Sequence, residues 1–164
     1  MACYDHDVGI PLSEGDVRAK IYRVLFLSFV FSLFAAIGQA AADSSVGPAV
    51  KVVYHIDDSK VARMVLNNVR NHLNATDGQA RIVVVAHGEG VDFLLDGAQD
   101  KNGNPYDITV EELMGRGVDF RVCNNTLKAR NIDPKTVTPG ARIVPSGVAE
   151  IARLEAEGYV YLKP

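Results

Sequence analysis

Strand and helix signals alternate along the chain from about residue 49 to its end. That alternation predicts an α/β domain on a single open, mostly parallel five-stranded sheet with helices on both faces. Two further observations support it. The run Arg81–Ala86 (RIVVVA) is unbroken apolar, as in a strand buried on both sides. No internal repeat or linker divides residues 43–164, so one domain is expected.

The elements follow in order. Residues 49–56 (AVKVVYHI) are a β-branched run, and Asp57, Asp58 and Ser59 after them are helix-capping types. Ala62, Val65, Leu66, Val69 and Leu73 then recur at helical spacing, opposite Lys60, Arg63, Asn67, Arg70 and Asn74. That pattern predicts an amphipathic helix laid on the sheet, closed at Asp77-Gly78. After the second strand, His87-Gly-Glu-Gly90 leads into an apolar stretch over 91–95, and residues 97–107 are turn-rich. Thr109-Val-Glu-Glu112 matches a capping box, with Ile108 and Leu113 as staple, and predicts a helix from Thr109 to Gly115 or Gly117. Residues 118–123 (VDFRVC) read as a third strand, 127–132 as a helix stopped by Pro134, and 141–144 as a fourth strand. Ser146 is placed to cap a last helix, which Gly158 closes before a terminal strand over 159–162.

The N-terminal part is different in kind. Residues 24–37 (VLFLSFVFSLFAAI) hold fourteen residues with two serines and no charge, behind Arg18, Lys20 and Arg23 and ahead of Ala40 and Ala42 in A-x-A spacing. A basic lead, an apolar core of this length and small residues describe a secretory signal peptide. A bilayer span wants roughly twenty apolar residues, so cleavage near Ala40–Ala42 is expected and no stable membrane span thereafter. Residues 1–16 carry four acidic groups, unlike a leader's basic start, so the working leader is read from about Val17. Residues 1–42 are thus read as leader and 43–164 as an exported domain, periplasmic or secreted.

Composition narrows function. The chain has 164 residues, 17 Lys+Arg and 20 Asp+Glu, a net charge of −3. That balance lacks the basic footprint of a nucleic-acid partner. With no Trp and 7% aromatic residues, a stacking platform for single strands or sugars is not expected. Two cysteines exclude a disulfide framework, and Cys3 falls in the leader, so Cys123 alone remains in the domain.

Ligands of open parallel sheets gather at the carboxyl ends of the strands. Cys123 ends the third strand immediately before a helix start, where free N–H groups and the helix dipole favour a thiolate. Thiolate is the nucleophile of sulfur transfer, so the position suits persulfide chemistry. A buried, inert cysteine is the plainer reading of the same residue. His87 is a second candidate, for proton movement beside Cys123 or simply for a backbone hydrogen bond. The His87-Gly-Glu-Gly90 turn offers glycines for an anion nest, but Phe93 stands where a dinucleotide fingerprint needs glycine. Asp100, Asn102, Asn104 and Glu111 fit positions of a calcium loop, yet Pro105 replaces its obligatory glycine. Asp57 and Asp58 read as caps, not metal ligands, so no metal site is expected.

The stretch Gly117-Val-Asp-Phe-Arg-Val-Cys-Asn-Asn-Thr-Leu-Lys-Ala-Arg-Asn-Ile132 resembles the active-cysteine segment of the DsrE/DsrF/TusD-like sulfur-relay family, in which a strand ends in Cys before a short helix. The strand–helix order from Val50 onward is similar as well. The resemblance implies a DsrE-like, flavodoxin-like fold and a sulfane-sulfur carrier or sulfurtransferase with its persulfide on Cys123. It further implies donor and acceptor thiols as partners, a homo-oligomer (trimer or hexamer) and no organic or metal cofactor. The alternative is a non-catalytic oligomeric module that binds a small ligand or partner and keeps a structural cysteine.

Overall fold

The computed structural model describes residues 49–164. The expected leader, residues 1–42, lies outside the described residues. Five strands form one sheet: β1 (Lys51–Ile56), β2 (Arg81–Ala86), β3 (Asp119–Cys123), β4 (Arg142–Val144) and β5 (Val160–Leu162). Their order is β4-β3-β2-β1-β5, and every neighbouring pair is parallel. The helices are α1 (Ala62–Ala75), α2 (Asp107–Gly115), α3 (Asn124–Ala129) and α4 (Gly147–Ala156). No helix among the described residues is long and apolar enough to cross a membrane.

The topology explains why helices occupy both faces. From β1 to β4 the chain steps one way across the sheet, and right-handed crossovers keep α1, α2 and α3 on one side. The return from β4 to β5 reverses direction, so its helix α4 must lie on the other side. Side-chain parity records the result. Val52, Tyr54, Ile56, Ile82, Val84, Ala86, Phe120 and Val122 point into the larger core, with α1, α2 and Leu127 of α3. Val53, Val83 and Val85 point the opposite way, against Ile151 and Leu154 of α4 and Tyr159.

Helix α1 buries the five residues its periodicity selected: Ala62, Val65, Leu66, Val69 and Leu73. Its entry is a 3-10 turn over Ser59–Val61, capped by Asp58, whose carboxylate accepts from the Lys60 N–H. Helix α2 departs from expectation. It starts at Asp107, not Thr109, and the N-cap residue Tyr106 makes no side-chain cap. The Thr109 hydroxyl that a capping box would use accepts instead from Arg63 of α1, at 3.1 Å. Helix α3 ends at Ala129, short of Pro134. Asn131 adopts a left-handed conformation (φ 53°) and the Ile132 N–H bonds back to Leu127 O, a C-terminal closure that stops the helix itself. Pro134 opens a 3-10 turn instead. Ser146 caps α4 as expected, accepting from the Ala149 N–H.

Candidate functional site

The carboxyl ends of β1, β2, β3 and β5 meet below the start of α4, and this corner holds the polar side chains of interest. Cys123 is the last residue of β3 and directly precedes α3. It shares its face with Val53, Val83 and Val85, the face that α4 covers. Ala86 pairs with Val122, so one further step along each strand sets His87 beside Cys123. Gly147, the first residue of α4, fits between them. A Cβ added there would stand 3.1 Å from His87 Cβ and 3.2 Å from Cys123 Cβ. Glycine lets α4 begin this close to both without pressing on either side chain.

Cys123 is 5% exposed. Burial pushes its thiol up, but hydrogen bonds from the Gly147 N–H, the Thr126 hydroxyl and the N–H groups of Thr126 and Asn125 outweigh it, and the thiol rests below its ordinary value. These donors belong to the opening turns of α3 and α4. The sulfur therefore faces donors from the opening turns of two helices, and negative charge is stabilised there.

His87 does not end in a backbone contact. Its Nε2 lies 2.6 Å from Nε2 of His55 on β1, and the rings are 4.5 Å apart by centroid. Nδ1 of His55 in turn lies 2.7 Å from the Tyr161 hydroxyl on β5. Tyr161, His55 and His87 thus form a hydrogen-bonded row across three strands, ending beside Cys123. Burial, and then the charge of His87, hold the His55 imidazole below its ordinary value. Asp57, expected as a cap, pairs instead with Lys163 at 2.5 Å, beside the same row.

The His87-Gly-Glu-Gly90 turn is anchored, not open. The Gly88 N–H donates to Thr126 Oγ1 at 3.0 Å, and the Gly90 N–H donates to Asp57 O and His87 O, each at 2.9 Å. A nest for anions would need those N–H groups free. A Cβ on Gly90 would sit 2.2 Å from Ile56 O, which explains the second glycine by close approach to β1. Arg130, near Cys123 in sequence, bonds Gly88 O and Asp92, so it braces the turn that carries His87. The Asp100 carboxylate closes its own loop, accepting from the Asn102 and Asn104 N–H groups and pairing with Arg63. No group of three or more His, Cys, Asp or Glu side chains suited to a metal lies among the described residues.

Of the residues singled out from sequence, Cys123 and His87 come together. His55 and Tyr161 escaped that reading. The available signal was parity: His55 shares its face with Val53, two residues earlier, so it points away from the larger core.

The model of the DsrE/DsrF-like family matches residues 39–164. This chain belongs to the DsrE/DsrF-like family. Among solved structures it is similar to MTH1491, a protein of unknown function from Methanobacterium thermoautotrophicum, at 37% identity and TM-score 0.62, covering 70% of this chain and 99% of that one. It is also similar to the YchN protein of E. coli, at 15% identity and TM-score 0.56, covering 71% of this chain and 99% of the other, a likeness of fold. No curated protein matches the chain. The DsrE-like family generally acts in sulfur relay, and the all-parallel five-stranded sheet is the fold its relatives share.

Proposed function

We propose that this DsrE-like domain carries sulfane sulfur on Cys123. The thiolate attacks the outer sulfur of a persulfide donor, R–S–SH. A new S–S bond forms at Cys123, the donor's own S–S bond breaks, and R–S⁻ leaves and takes a proton; an acceptor thiolate later attacks the carried sulfur in the same way. Oxidation state is conserved overall, and no cofactor enters. The observation that carries the reading is the place of Cys123, at the end of β3, directly before α3 and against Gly147 at the start of α4; donors there hold its thiol below its ordinary value although burial opposes it. We place the domain outside the inner membrane, periplasmic or secreted, on the leader pattern of residues 1–42, with donor and acceptor thiols of that compartment as partners. Assembly as a trimer or hexamer belongs to the same proposal, by likeness to the family.

One observation favours a second reading, an oligomeric binding or interaction module with a structural cysteine: Cys123 is 5% exposed. The experiment that separates them exposes the full chain to glutathione persulfide and weighs the intact protein. The carrier gains a reducible sulfur atom, and the Cys123→Ser variant does not. A wild-type protein that gains none, and whose Cys123 resists iodoacetamide at neutral pH, is the module.

A further inference from the structure

We propose that Tyr161, His55 and His87 form a proton relay that serves Cys123, delivering a proton to the thiolate that leaves when the cysteine takes up sulfur. The inference rests on the sulfur-carrier reading and extends it to the fate of the proton.

Three observations carry it. The row is continuous, 2.7 Å from Tyr161 Oη to His55 Nδ1 and 2.6 Å from His55 Nε2 to His87 Nε2. It is directional: Tyr161 is 39% exposed on the edge strand β5, whereas His87 stands beside the buried Cys123. It also has one free end, because Nδ1 of His87 makes no hydrogen bond among the described residues. An imidazole passes a proton by accepting at one nitrogen and releasing from the other. With the Tyr161 hydroxyl donating to His55 Nδ1, and His55 Nε2–H donating to His87 Nε2, the last proton of the row sits on His87 Nδ1.

The step balances. Cys123 S⁻ and R–S–SH form Cys123–S–SH and R–S⁻. The leaving thiolate takes the His87 Nδ1 proton; His87 Nε2 takes the His55 Nε2 proton; His55 Nδ1 takes the tyrosine proton; water restores Tyr161. No electron is gained or lost overall. His87 is the group that meets the leaving thiolate, and His55 and Tyr161 are positioning residues that act through it. The charged and titratable groups facing the row are Asp57 of the β1 end with its partner Lys163 after β5, and Cys123 of β3. On α4 the titratable group nearest its start, Glu150, is turned to Arg121 and Arg153.

The test compares two reagents that differ in whether the leaving group needs a proton. Glutathione persulfide releases a basic thiolate; methyl methanethiosulfonate releases a sulfinate, which leaves without one. Rates at Cys123 are measured on the full chain for wild type, His87→Gln, His55→Gln and Tyr161→Phe across the neutral pH range, in light and heavy water. Persulfide loading is expected to fall by about 100-fold in His87→Gln, the low end of what a positioned acid contributes. It falls less in His55→Gln, and least in Tyr161→Phe, which keeps the ring and loses one hydroxyl. The solvent isotope effect on loading shrinks along the same series, while thiosulfonate rates stay within about twofold of wild type, as expected where no proton is transferred. Equal slowing with both reagents overturns the relay, because the row then only shapes the thiol's surroundings. Unchanged persulfide loading in all three variants overturns it as well. A wild type that reacts with the thiosulfonate but never accepts sulfur overturns the carrier reading and the relay with it.

Discussion

The two faces of the sheet are built to different ends. On one, twenty-three buried residues from β1, β2, β3, helices α1, α2 and α3 and the segments between them form a continuous apolar cluster, with Phe93 edge-on to Tyr106 and Phe120. On the other, α4 alone covers the strands, and six residues make the cluster. The thin face carries Cys123 and the histidine row at the carboxyl ends of the strands, and a band of ion pairs lower down. There Arg121 of β3, 6% exposed, pairs with Asp119 and Glu150, while Arg142 and Arg153 pair with the same two carboxylates. Burial in bulk holds the fold on one side. On the other, polar groups are kept close to the sheet by one helix, so stability and chemistry are borne by opposite faces of the same strands.

The sharpest test of that division deletes the same side chain from each face. Leu66 of α1 and Leu154 of α4 are both essentially fully buried. Leu66 has the thick cluster around it, so Leu66→Ala leaves a cavity that its neighbours cannot collapse into, at about 4 kcal/mol. Leu154→Ala opens beside a single helix that is free to settle, at about 2 kcal/mol. Urea unfolding midpoints of the two variants measure both; equal losses would mean that α4 is as firmly packed as α1.

The ion pairs sharpen the comparison from the polar side. Burial raises the Asp119 carboxyl, but hydrogen bonds from Arg142 and Arg121 outweigh it; Glu150 is lowered by Arg153 first, against burial, and then by Arg121. Arg121→Ala leaves two part-buried carboxylates short of a partner, and is expected to lose about 3 kcal/mol at neutral pH. The sign with pH follows from linkage. Carboxyls held low in the native state add stability above their unfolded values and lose it as pH falls through the native ones. The gap between wild type and Arg121→Ala is therefore widest at neutral pH and narrows in acid. A gap that stays constant would assign the loss to packing of the arginine's aliphatic stem.

Sequence pattern carried the thick face further than the thin one, for a physical reason. The buried stripe of α1 and the double burial of β2 are local periodicities, written within a dozen residues. Cys123 was legible too, since a strand end followed by helix-starting residues is local. His55 and Tyr161 matter only because β5 returns to lie beside β1, and no pattern near residue 161 states that. The same holds for Arg121, whose place in an alternating strand gives no sign of Glu150 twenty-nine residues on. Thr109 shows the converse: a local capping signal was present, and a distant side chain, Arg63, claimed the hydroxyl. Local chemistry was readable up to the point where strand order decides which residues meet.

Strand order is also what brings the start of α4 over Cys123, and this gives the smallest effect. Because its thiol is held below the ordinary value, the native protein gives up this proton at a lower pH than the unfolded chain, whose cysteine titrates near 8.5. Between those two points the unfolded state binds more protons, so wild-type stability rises with pH through that window and levels off above it. Below the native value both states hold the proton, and the contribution is gone. Cys123→Ser has no such titration, so subtracting its unfolding free energy from wild type at a series of pH values isolates a single upward step. A step in the opposite direction would mean that burial, not the donors from α3 and α4, governs the thiol, and the thin face would then hold a protonated, structural cysteine.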